Sequence, residues 1–93
     1  MAAPRYRAAG AELLLVEPLD MFTAVFHRPS GITHLLTEPA PQILRALADA
    51  PLDAGALLAR LSRDFDLGNP GDAEAMLLAR LAELEAAGLV ERV

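Results

Sequence analysis

Short apolar runs alternate with turn-forming residues in the first third of the chain. Segments 13–18, 22–27 and 32–36 are rich in leucine, β-branched and aromatic side chains, a length and composition typical of strands. Pro29-Ser30-Gly31 separates the last two segments, and its glycine can adopt the positive φ that a tight turn requires. The pattern therefore predicts three short antiparallel strands joined by tight turns.

The hydrophobic period changes to that of a helix at Thr37. Thr37-Glu38-Pro39 offers a cap candidate and a first-turn proline, which predicts a helix at about 40–50. Asp53 caps a second predicted helix at 54–66, and Asn69 caps a third that ends near Ala87, before Gly88. The expected buried stripes are Ile43, Leu44 and Leu47; Leu57, Leu58, Leu61 and Phe65; and Ala73, Met76, Leu77, Leu81 and Leu84.

Strands followed by helices predict an α+β fold in which the helices cover one face of the sheet. The expected architecture is winged helix-turn-helix-like, with a three-stranded antiparallel sheet followed by three helices. Residues 1–11 show no periodicity and are expected to form a flexible lead-in. Residues 12–93 are expected to form a single domain, because the chain has the length of one.

Charge and composition narrow the range of partners. The net charge of −5 arises after residue 37, where five arginines face ten acids. An acidic half is a poor partner for phosphate backbones, so nucleic acid is not expected to bind. With no cysteine, thiolate chemistry and disulfides are ruled out. No apolar run is long enough for a signal or membrane segment, and a cytoplasmic protein is expected.

Two histidines are the only conventional general bases. His27 and His34 flank the predicted turn, and either plausible register places them on one sheet face, opposite or diagonal. No cysteine and no nearby carboxylate completes a set of three or four ligands, so we expect surface histidines and no metal. Ser30 lies in a turn rather than in a nucleophile elbow, and no loop resembles a phosphate cradle. Neither enzymatic activity nor a cofactor is expected.

Three functions from different classes remain open. Exposed edges of a short sheet attract a further strand, and 32–36 is a good edge candidate, because a helix begins directly after it. The alternative is that this strand is central or that a helix covers its edge. Exposed edges also permit a homodimer. A winged-helix DNA-binding regulator is the second possibility, with Arg60 and Arg63 as its best basic pair. A structural adaptor that binds a kinase-like partner through its acidic helical half is the third.

A resemblance favours the first of these. The run Phe26-His27-Arg28-Pro29-Ser30-Gly31-Ile32-Thr33-His34-Leu35-Leu36, then Ile43-Leu44 and Leu47, and later Leu81, Leu84 and Ala87-Gly88-Leu89-Val90, resembles the PqqD family. The likeness covers residues 13–91. The Ser-Gly-x-Thr-His-Leu-Leu version is most similar to the subgroup encoded beside proteins related to the HPr kinase.

The resemblance implies a RiPP recognition element, a non-catalytic peptide chaperone that holds the leader region of a precursor peptide for a modifying enzyme or an HPr-kinase-related protein. It implies that the leader adds a strand to the third strand and lies along the third helix. Carried onto this chain, the implied peptide-binding residues are Ile32, Thr33, His34, Leu35, Leu36, Leu77, Leu78, Arg80, Leu81 and Leu84.

Overall fold

A computed structural model describes residues 3–63 and 69–93 of the chain, apart from the side chain of Pro70. The described residues form an α+β fold with the element order β1 (Arg5–Ala8), β2 (Leu14–Pro18), β3 (Thr23–His27), β4 (Ile32–Leu36), α1 (Ala40–Asp49), β5 (Leu52–Asp53), α2 (Ala54–Leu61), α3 (Pro70–Ala86) and β6 (Val90–Arg92). A short 3-10 turn at Ala11–Leu13 precedes β2.

The three predicted strands form an antiparallel meander in the order β2-β3-β4. Their expected positions are confirmed to within a residue at each end. The turn between β3 and β4 is closed by Gly31 at φ 71°, the left-handed conformation that glycine adopts at no steric cost. His27 pairs with Ile32 across this turn and Val25 pairs with His34. The register therefore sets which side chains share a face of the sheet.

A second sheet was not predicted. It has the order β5-β1-β6, and Tyr6 in its central strand pairs with Leu52 on one side and Arg92 on the other. The expected flexible lead-in at 1–11 is therefore wrong for Arg5–Ala8. Tyr6 is only 5% exposed, and burial of its ring together with two ladders of main-chain hydrogen bonds holds this segment against the helices.

The caps of the last two helices follow the sequence prediction. The Asp53 carboxylate accepts a hydrogen bond from the Ala56 N–H at 2.7 Å, and the Asn69 side-chain oxygen accepts from the Gly71 N–H at 2.9 Å. Each bond satisfies an N–H that has no partner within its helix. Gly88 ends α3 at φ 79°, as expected for a left-handed C-terminal residue.

Two helix details differ from prediction or lie outside the described residues. Pro39, not Thr37, is the residue that caps α1, and no side chain hydrogen-bonds the free N–H groups there. Thr37 contributes through its carbonyl oxygen, which accepts from the Ala40 N–H at 2.9 Å. Within the described residues, α2 ends at Leu61. The predicted end of the second helix beyond residue 63, which includes Phe65, lies outside the described residues.

One hydrophobic core joins the helices to both sheets. Its fully buried side chains are Val25, Ile43, Leu57, Leu77, Leu81 and Leu89. Val25 is the meander's innermost contribution, and Leu14 and Leu36 pack beside the core from the neighbouring strands. The meander is thus held through the middle of one face, and β4 lies at its outer edge on the side of α3.

Candidate functional site: the groove between β4 and α3

The hydrogen-bonding direction of β4 follows from its neighbours. The Arg28 N–H donates to the Leu13 carbonyl at 2.9 Å, just beyond the Leu14–His27 pair. In an antiparallel ladder this makes Leu14–His27 a pair without mutual hydrogen bonds, so His27 directs its N–H and C=O toward β4. Hydrogen-bonded and non-bonded pairs alternate from there.

The same alternation fixes β4 itself. Ile32, His34 and Leu36 bond to β3 through the pairs that follow His27–Ile32. Thr33 and Leu35 therefore direct their N–H and C=O groups away from the meander. Because the sheet has the order β2-β3-β4, these groups form an unoccupied strand edge within the described part of the chain, and such an edge can accept a further strand.

A groove of about 420 Å³ runs between this edge and α3. Its wall on the strand side is formed by residues 33–37, and its opposite wall by one face of the helix. The lining residues are Thr33, His34, Leu35, Leu36, Thr37, Ala40, Arg80, Glu83, Leu84, Ala87 and Leu89. An extended segment that paired with β4 would therefore lie against α3 as well.

The helical spacing of α3 explains which of its residues reach the groove. Arg80, Glu83, Leu84 and Ala87 recur at intervals of three and four, which places them along one face. Glu83, Ala87 and Leu89 were missed by the sequence prediction, as were Thr37 and Ala40. The sequence could have indicated Glu83 and Ala87, because they follow Arg80 by three and seven residues and therefore lie on the same helix face.

The structure brings six of the ten predicted binding residues together: Thr33, His34, Leu35, Leu36, Arg80 and Leu84. The other four lie elsewhere. Leu77 and Leu81 are 0% and 1% exposed in the core, so neither presents a side chain to a ligand. Leu78 and Ile32 are exposed but do not line the groove, because Leu78 projects from a different side of α3 and Ile32 precedes the groove on β4.

Polar groups in the groove are incompletely satisfied. The His34 Nε2 and Arg80 Nε atoms are buried and have no hydrogen-bond partner among the described residues. Arg80 does reach Glu83 through Nη2, at 2.9 Å from Oε1. A buried nitrogen without a partner loses the free energy of its hydration. Arg80 Nε can only donate a hydrogen bond, whereas the role of His34 Nε2 follows its tautomer.

The two histidines share a face of the meander, as the sequence predicted. The observed register makes them diagonal, since His27 lies opposite Ile32 and His34 opposite Val25. His27 is engaged in the turn, where its Nδ1 and the Ser30 hydroxyl share a hydrogen bond of 2.7 Å. Within residues 3–63 and 69–93, no group of three potential metal ligands includes them.

A second, larger cleft of about 640 Å³ lies under the same face of the meander, near its β2 edge, between β2, β3 and α1. Leu14, Val16 and Val25 line it from the sheet and Leu44 and Leu47 from the helix, and most of its remaining lining is alanine and proline. The β2 edge nearby offers little to a further strand, because Pro18 has no N–H and the Leu14 N–H already donates to the Ala11 carbonyl.

One residue of the basic pair considered for DNA binding forms an intramolecular ion pair at the surface. Arg60 forms an ion pair with Asp49, and it also approaches the Ala46 carbonyl at 3.5 Å. Its positive charge is therefore balanced at the contact between α1 and α2. Among the helices of the described residues, none has the length and apolarity needed to cross a bilayer.

Comparison of the chain with known protein families finds no matching family, and neither curated proteins nor solved structures provide a match. The functional reasoning therefore depends on the groove and on the residues that line it.

Proposed function

We propose that this protein is a non-catalytic peptide-binding domain that captures an extended segment as a fourth strand beside β4. The observation that carries the proposal is the coincidence of an unoccupied strand edge, at Thr33 and Leu35, with a groove of about 420 Å³ that α3 closes on its far side. The edge supplies main-chain recognition and the groove supplies contacts for side chains.

The binding energy requires both parts. Four outward main-chain groups give about four hydrogen bonds, each contributing about 0.5–1.5 kcal/mol net. Ordering a disordered peptide costs about 2–5 kcal/mol, whereas micromolar affinity needs about 8 kcal/mol. Apolar side chains of the peptide must therefore fill the groove, against the half-buried Leu36 and Ala87. The groove then determines which peptides bind.

We expect the bound segment to be the leader region of a precursor peptide, which the domain holds for a modifying enzyme or an HPr-kinase-related protein. The support for this assignment is the sequence resemblance to the PqqD family together with the position of the groove. A strand captured at β4 remains accessible on the outer sheet face, where Leu35 is 62% exposed. A partner enzyme could thus approach the bound peptide without displacing it.

Selection from a display library of extended peptides, followed by titration of the selected peptide into ¹⁵N-labelled protein, tests the proposal. We expect the largest amide shifts at Thr33 and Leu35, whose N–H groups would gain hydrogen bonds, and at Arg80 and Leu84 on the groove face. The amides of Leu57 and Tyr6, which lie in the core and in the second sheet, should shift little.

A different pattern would contradict the proposal. Shifts concentrated around the cleft between β2 and α1, with residues 33–35 unaffected, would assign peptide binding to another surface. Concentration-dependent shifts at Thr33 and Leu35 in the absence of peptide would instead reveal a homodimer formed at the same edge. Salt-sensitive binding to duplex DNA in a parallel titration would favour the regulator hypothesis.

A further inference from the structure

The face of the meander that is turned away from the helices is largely apolar. Val25 is fully buried on the inner face, so its neighbours Ala24 and Phe26 point outward, because alternate residues of a strand face opposite sides. The register extends this assignment to the other two strands. The outward side chains of the paired positions are Leu15, Glu17, Ala24, Phe26, Thr33 and Leu35.

This apolar surface continues to the turn between β2 and β3. The Leu19 N–H donates to the Phe22 carbonyl at 2.7 Å, which adds one pair to the ladder beyond Pro18–Thr23. Leu19 and Phe22 therefore point outward as well. Together with the six paired positions, they form what we call the outer face. None of its side chains belongs to the hydrophobic core of the described residues.

The outer face is large enough for a specific interface. Four of its large apolar residues are each between 43% and 62% exposed: Leu15, Leu19, Phe22 and Leu35. Counting about 150–250 Å² for a fully exposed residue of this size, they present roughly 400 Å², and the other side chains raise the face to roughly 600 Å². Two such faces would bury about 1,200 Å², the lower end of the range for specific, stable interfaces.

We propose that a second copy of this chain covers the outer face, with the two meanders packed face to face. Homodimer interfaces are more apolar than other interfaces, and their centres are depleted in charge. Glu17 is the one charged residue among the paired outward positions, and it lies on the edge strand β2, at the rim of the contact. A two-fold axis places the same patch on both copies, and the two sheets stack about 10 Å apart.

The charge of the chain argues against a bilayer on this face. Anionic membrane surfaces attract clusters of lysine and arginine, whereas the net charge here is −5. Glu17 lies on the outer face, and Asp20 lies in the turn at its end. Arg28, which follows β3 at the opposite end, is one basic residue against these two carboxylates.

The dimer leaves the β4 edge free for a peptide. The outward N–H and C=O groups of Thr33 and Leu35 lie in the plane of the sheet rather than on its face, so the inference does not rest on the function proposed above. An enzyme that approaches a bound peptide across the outer face would compete with the second copy. The dimer is therefore the resting form of the domain.

Sedimentation equilibrium over a wide range of protein concentration tests the proposal. We expect the apparent mass to rise with concentration from 9.9 kDa toward twice that value. Leu15→Glu places an unpaired charge within the contact, so it should raise the dissociation constant of the dimer at least about tenfold. The amide spectrum of the variant checks that it is folded.

Two control variants introduce the same charge elsewhere. Val16→Glu is the matched control, because Val16 follows Leu15 on β2 and is similarly exposed, but points to the inner face. Leu78→Glu is the second control, at an exposed leucine of α3. Both variants should dimerise as the unmodified chain does.

Dilution of ¹⁵N-labelled protein locates the contact. We expect concentration-dependent amide shifts on all three strands of the meander, at Leu15, Ala24, Phe26 and Leu35. A chain that stays monomeric at every concentration refutes the proposal, and its cosedimentation with phosphatidylglycerol vesicles would assign the face to a bilayer. Shifts confined to Thr33 and Leu35, in a dimer that Leu15→Glu leaves intact, also refute it and place the second copy on the β4 edge.

Peptide titration keeps this proposal separate from the proposed function. Strand addition predicts that the folded Leu15→Glu variant binds a selected peptide with the affinity of the unmodified chain. Loss of dimerisation with unchanged peptide affinity supports both proposals. A Leu15→Glu variant that dimerises like the unmodified chain refutes the face-to-face dimer, whether or not the peptide binds.

Discussion

Replacement of Leu35 by proline gives the sharpest test of strand addition, because this residue has its main chain turned outward. The Leu35 N–H is not used by β3, since the bonded pairs of that ladder are those of Ile32, His34 and Leu36. Its side chain is 62% exposed. Proline is tolerated on an edge strand when the lost N–H faces solvent, so Leu35→Pro should fold with a small loss of stability.

Peptide binding should respond far more strongly than folding. The proline removes one donor and leaves a peptide carbonyl unpaired against the edge, which costs about 1–3 kcal/mol. Since each 1.4 kcal/mol is a tenfold change, the dissociation constant should rise by roughly 5- to 150-fold. Leu35→Ala retains the N–H and should lose only the part of the affinity that the exposed side chain contributes.

Isothermal titration calorimetry with a selected peptide, paired with urea denaturation of each variant, provides the measurement. His34→Pro is the contrasting variant, because its N–H is donated within the meander and its loss should destabilise the fold itself. A folded Leu35→Pro protein with unchanged affinity would refute the assigned direction of the β4 main chain or the use of this edge by the peptide.

Four further variants probe the fold that supports the groove, each by urea denaturation followed by circular dichroism. Leu77→Ala should lower the free energy of unfolding by about 2–5 kcal/mol because the side chain is fully buried. Leu78→Ala, at its exposed neighbour, should change the free energy of unfolding by no more than about 0.5 kcal/mol. Similar losses in the two variants would show that the core-facing side of α3 has been assigned incorrectly. Asp53→Ala should cost about 1 kcal/mol through loss of the α2 cap, and an unchanged midpoint would mean that the cap is not formed in solution. Gly88→Ala should cost about 1–2 kcal/mol, because φ is 79° and the added Cβ would lie 3.2 Å from the His27 ring; a neutral effect would argue against the left-handed end of α3.

Local sequence signals were sufficient for the meander and for most of the helices. Gly31 and Gly88, with their positive φ values, and the caps Asp53 and Asn69 act within a few residues of themselves, so a linear pattern reveals them. The second sheet has no such signal. Its strands are short, and Tyr6 is the only buried residue of β1, so the pairing depends on segments distant in sequence.

The sequence predicted the strand and the helix that form the candidate site, but not which of their residues face the groove. A leucine-rich helix does not disclose which leucines face a groove and which face the core, and Leu77 and Leu81 belong to the core. Arg80 and Leu84 line the groove beside β4, and Leu84 is only 3% exposed. The direction of the Leu35 main chain required the register, which is a property of paired strands rather than of one sequence segment.

The central position of β1 in the second sheet constrains the order in which the chain can fold. Arg5–Ala8 is translated before the meander and the helices, whereas its three partners in the ladder with β6, Val90, Glu91 and Arg92, are translated after them. The segment must therefore remain unpaired on this side until β6 has been translated. The meander and α1 are translated earlier and can form first, so we expect the strand edge at β4 to exist on nascent chains before the small sheet closes the fold.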